Sequence, residues 1–117
     1  MWIFLNNAYL SIVRHRNLPD HLLVRARNNG DIEAVFPKAD VEITPRADYL
    51  FRAVVHESLV AATIKMAILD IDYDNFKGSI SGGEYHDACL SVWATMNAYQ
   101  REGTYQRDRK YHAKKKK

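Results

Sequence analysis

The sequence predicts an α+β domain: a ferredoxin-like sheet with permuted strand order and an added C-terminal helix. Three observations predict it. Strand patterns at 21–27, 41–44 and 49–56 alternate with helix patterns at 31–36 and 58–71 in a β-α-β-β-α run. A further strand at 8–16 supplies a fourth member of the sheet from the N-terminal side, which is the permutation. After Gly82-Gly83, an apolar stripe at 3, 4, 7, 8 spacing marks one more helix.

Each element has a local reason. Trp2 to Leu5 and Ala8 to Arg16 flank Asn6-Asn7, and Asn tolerates the positive φ of a tight hairpin turn. Asn17 to Asp20, containing Pro19, forms the next turn, and HLLVRAR from His21 to Arg27 is the third strand. Asn28-Asn29-Gly30 breaks that strand, and DIEAVF opens a short helix with Asp31 at its positive end. Val41 to Thr44 and Tyr49 to His56 are strands around a turn at Pro45 to Asp48.

Ser58 is the expected N-cap of the following helix, with Leu59, Ala62, Ile64, Met66 and Leu69 on its apolar side. The last helix runs from about Glu84 to Gln100. Its expected buried stripe is Tyr85, Ala88, Cys89, Val92, Trp93 and Met96, and Gly103 is expected to end it. The organisation is then one compact domain over residues 1–102 and a basic, disordered tail over 103–117.

The pI near 9.0 belongs to that tail. Residues 100–117 hold eight Lys and Arg against two acids, whereas residues 1–99 hold nine against twelve. The body is mildly acidic. A single cysteine excludes an internal disulfide and suits a reducing cytoplasm. The start lacks the basic region of a signal peptide, and no stretch reaches membrane-spanning length, so the expected location is cytoplasmic with no membrane partner.

Asp70, Asp72 and Asp74 in DIDYDNF alternate as in the opening of a calcium loop. The sixth position of such a loop is Asn75 in place of Gly, the eighth Lys77 in place of an apolar residue, and the twelfth Ser81 in place of the bidentate Glu. The metal expectation is therefore none, and the three acids are a candidate contact surface. His86 and Cys89 lie three apart on the last helix, where a Cys–His pair would make a nucleophile. Cys89, however, falls on the apolar stripe. No phosphate loop, nucleophile elbow or paired catalytic carboxylate is present, and no cofactor is expected.

The arginines carry more. If the first three strands pair as consecutive hairpins, parity puts Arg14, Arg16, Arg25 and Arg27 together at one end of a sheet face, and Arg52 joins from the strand at 49–56. The opposite face, with Tyr9, Ser11, Val13, Leu22, Val24 and Ala26, has no formal charge and is the expected core. Five planar donor forks suit phosphate or carboxylate, although on a solvated face they would pair with the chain's own acids. HLLVRAR offers none of the aromatics on which an RNA-recognition sheet stacks bases. In the tail, Arg107, Arg109 and Lys110 lie beside a Lys run with Tyr105 and Tyr111 interleaved, a pattern that suits a polyanion.

The strings MWIF, LLVRAR, DYDNFK and YHDACLSVW occur in this order over residues 1–97. They resemble motifs of a family of small bacterial and phage proteins, which implies a compact α+β domain and no particular reaction. The expected function is a non-catalytic binding protein acting through charged surfaces, on the pattern of an anti-CRISPR-like phage inhibitor of a host nucleic-acid-processing complex. Its partner would be a protein or nucleoprotein complex. The alternatives are direct DNA or RNA binding through the arginine face and the tail, and a small enzyme using His86 and Cys89.

Overall fold

The computed structural model describes the backbone of residues 1–115 and the side chains of residues 1–101. It comprises two compact units, Met1–Phe76 and Lys77–Lys117. In the first, β1 (Trp2–Leu5), β2 (Ala8–Arg14), β3 (His21–Ala26), α1 (Asp31–Val35), β4 (Glu42–Ile43), β5 (Phe51–His56) and α2 (Glu57–Leu69) follow in order. The second holds a 3-10 turn, Lys77–Ser79, and α3 (Gly83–Lys115).

The strands form one antiparallel sheet in the order β1-β2-β3-β5-β4. β3 and β4 flank β5 and run parallel to each other, and the chain crosses between them through α1. This is the split β-α-β unit of a ferredoxin-like sheet. β2, from the N-terminal side, occupies the far side of β3, where the last strand of the unpermuted fold would lie. β1 adds a fifth strand at that edge.

Hairpin β1–β2 closes through Asn6-Asn7, with Leu5 opposite Ala8. Its turn uses no left-handed residue: among the described residues, Asp20 is the one non-glycine at positive φ, 61°.

Alternation along the strands places Leu10 and Ile12 of β2, Val24 and Ala26 of β3, and Ala53 and Val55 of β5 on one face. Ile32 and Phe36 from the α1 region and Val60 from α2 pack onto it. Burial of each larger aliphatic contributes about 1.5–3 kcal/mol and fixes which face the helices cover.

The register overturns one expectation. Ile12 opposes Val24 and Ser11 opposes Arg25, so even positions of β2 share a face with even positions of β3. The core face therefore holds Leu10 and Ile12 together with Leu22, Val24 and Ala26. Arg14, opposite Leu22, belongs to that helix-covered side, whereas Arg25 points away from it. The five arginines do not form one group.

The helices differ in detail from expectation. The cap of α2 is His56, whose Nδ1 accepts from the Ser58 backbone N–H at 3.1 Å, and Ser58 lies inside the helix. The α2 face turned to the core carries Val60 and Ile64, while Leu59, Met66 and Leu69 are exposed. On α3 only Cys89 of the expected stripe is buried; Trp93 is 52% and Met96 55% exposed. The helix also continues past Gly103 to Lys115. One glycine costs about 1 kcal/mol in a helix interior, and the helix-favouring Glu102, Gln106 and Arg107 around it offset that.

Candidate functional site

The face of the sheet opposite α1 and α2 has one continuous cross-strand row. Trp2 opposes Ser11, Ser11 opposes Arg25, Arg25 opposes Arg52, and Arg52 opposes Glu42. The row spans all five strands, and its side chains share one face because directly opposed residues do.

Around its centre, three guanidiniums converge on the dipeptide Asp48–Tyr49, which precedes β5. Arg25 lies 4.6 Å and Arg27 4.2 Å from the centre of the Tyr49 ring. Arg27 donates to the Asp48 carbonyl at 2.9 Å. Arg52 reaches the Asp48 carboxylate at 3.4 Å and the Tyr49 carbonyl at 3.4 Å. Arg25 donates to the Ser11 hydroxyl at 2.7 Å, and its Nε–H is buried with no acceptor. A buried donor left unmade costs about 1–3 kcal/mol, which the Ser11 bond and the Tyr49 ring contact offset.

Tyr49, 3% exposed, is the hub. Its hydroxyl meets that of Tyr9 at 3.1 Å, and Tyr9 stacks on Phe4 with centroids 4.5 Å apart. Burial works to raise the Tyr49 phenol. Hydrogen bonds from Tyr9 and Ser11 and the charges of Arg27 and Arg25 outweigh it and leave the group below its ordinary 10.0. Tyr9 is pushed up to about 12, by burial first and then by its bond to Tyr49. The arrangement is a positively charged, aromatic surface. Among the described residues Asp48 is the one carboxylate paired with Arg25, Arg27 or Arg52.

The other expected site residues lie elsewhere. Arg14 pairs with Glu57 at 2.5 Å, and this bond is the main reason the Glu57 carboxyl lies below its usual range. Arg16 is exposed beyond the end of β2. Asp70, the C-cap of α2, and Asp72 and Asp74 are exposed along the chain after that helix. No group of three or more metal-ligating side chains converges among the described residues. His86 lies 3.6 Å from Asp87, and Cys89 is buried. The side chains of Arg107, Arg109 and Lys110 lie outside the described residues. No described helix is long and apolar enough to cross a membrane.

Sequence reasoning missed Ser11, Asp48, Tyr9 and Tyr49. Tyr9 and Ser11 were assigned to the core face, and the correct β2–β3 register is the signal that would have moved Arg25 beside them. No protein-family model, curated protein or solved structure matches this chain.

Proposed function

We propose that this chain is a non-catalytic binding module that holds nucleic acid, free or within a nucleoprotein complex, on the sheet face opposite α1 and α2. The observation that carries the reading is Arg25 set directly opposite Arg52, with Arg27 alongside, Asp48 loosely paired to Arg52 and Glu42 on its far side. Like charges directly opposed across a sheet destabilise it, and a polyanion removes that cost. Guanidinium forks match phosphate oxygens bidentately. The aromatics Trp2, Phe4 and Tyr9 on the same face add surfaces on which bases stack.

Fluorescence anisotropy of a labelled oligonucleotide over a salt series tests the reading. Arg25→Gln with Arg52→Gln is expected to remove most binding and make the slope of log affinity against log salt shallower by about two. Unchanged affinity in that folded variant overturns the proposal. A module of this kind acts by occupying its ligand, which is how an anti-CRISPR-like inhibitor of a host complex would work. Capture from host lysate with and without nuclease addresses that role, and nuclease-resistant capture favours a protein partner.

A further inference from the structure

Next to Arg52 lies a cavity of about 520 Å³ lined by His15, Leu23, Asp40, Glu42, Arg52 and Val54. Resting on the nucleic-acid reading above, we infer that this cavity receives one unstacked base of a single strand and favours cytosine and adenine over thymine and uracil. The volume lies within the range of small-ligand sites. Leu23 and Val54 are opposed on β3 and β5 and give it an apolar floor on the arginine side of the sheet. A planar base can lie over such a floor.

The walls carry two acids against the one arginine, with Glu42 directly opposite Arg52 across β4 and β5. Arg52 stands on the side of the arginine row, one row from Leu23 and Val54, which is about 6.8 Å along the strands. Asp40 and Glu42 contribute two carboxylates to the same cavity. A phosphate is repelled by those acids, so the part of the ligand that enters is neutral. A nucleotide has the matching polarity: its phosphate is anionic, and the amine of cytosine or adenine donates hydrogen bonds to carboxylates.

Thymine and uracil instead present a carbonyl oxygen at the position of that amine, which two carboxylates disfavour. His15 supplies the remaining polarity. Its Nδ1 accepts from the backbone N–H groups of Asn17 and Leu18, both at 3.1 Å, so Nε2 carries the proton and is a donor for a ring nitrogen or carbonyl of the base. A base inside a duplex is stacked and has its pairing edge occupied, so the cavity selects single strands.

The test is equilibrium binding of the full chain to equal-length oligonucleotides of cytosine, adenine and thymine, and to a duplex, at physiological salt. Cytosine and adenine strands are expected to bind roughly tenfold tighter than thymine, and the duplex more weakly than either. Asp40→Asn with Glu42→Gln, two exposed positions, is expected to bring the cytosine-to-thymine ratio towards one. Base-independent binding by the basic tail cancels in that ratio. Equal affinity for all strands and the duplex, still lost on Arg25→Gln with Arg52→Gln, overturns the base cavity and leaves the nucleic-acid reading standing. Binding to polyglutamate but to no nucleic acid overturns both.

Discussion

Tyr49 is enclosed by two guanidiniums and two hydroxyls, so its chemistry reports on the whole arginine cluster. The Tyr9–Tyr49 pair releases its first proton from Tyr49, where Arg27 and Arg25 stabilise the phenolate, and its second from Tyr9 at about 12. A titration followed by phenolate absorbance is expected to show one tyrosine ionising below 10.0 and one near 12, and Arg27→Gln is expected to move the first upward. The stability consequence has a definite sign. Tyr9 holds its proton more tightly when folded, so its contribution to stability falls as pH rises from 10 to 12. Tyr49 works in the opposite sense: its contribution is complete above 10.0 and is lost as pH falls through its lower folded value. If Tyr49→Phe leaves the early ionisation in place, the assignment is wrong. Arg25, Arg27 and Arg52 are three of the five arginines that strand parity groups in the sequence, and the observed register separates Arg14 from them. Tyr49 was not legible there, since it precedes β5 in an irregular stretch and reaches the site only through tertiary packing.

At the scale of elements, the strands and their order were legible because period-2 patterns and turn residues are local signals. Register was not. Shifting β3 by one residue against β2 exchanges its two faces, and the six-residue connection 15–20 leaves the choice open until side chains pack. Leu22, Val24 and Ala26 were placed correctly among themselves, but paired with the wrong half of β2. The same reason explains α2, whose apolar residues surround much of the helix, so that periodicity alone could not choose Val60 and Ile64 as the core face. Two neighbouring substitutions test the observed register. Ile12→Ala, in the core cluster, is expected to cost about 2–4 kcal/mol of unfolding free energy in denaturant melts. Val13→Ala, on the opposite face and partly exposed, is expected to cost less than about 1 kcal/mol. Equal costs would contradict the assignment of the two faces.

At the scale of the whole molecule, charge is divided between a mildly acidic body and a basic C-terminal stretch, and the two make different predictions for a polyanion ligand. Deleting residues 104–117 removes seven cations and one acid and turns the net charge from +3 to −3. Because the tail offers unpatterned positive charge, its loss is expected to weaken binding at low salt and flatten the salt dependence, while the preference among bases persists. The arginine cluster, by contrast, fixes phosphates at defined positions on a folded sheet. Its removal in an otherwise full-length chain is expected to leave a weak, salt-sensitive, base-independent association carried by the tail. Measuring both variants over one salt series separates the contributions, with thermal melting to check that each still folds. Complete loss of binding on truncation, with the sheet still folded, would make the C-terminal stretch the contact and return Arg25, Arg27 and Arg52 to a structural role around Tyr49. Retained affinity on truncation, together with loss in the arginine variant, would place recognition on the sheet, where Arg25 and Arg52 are directly opposed.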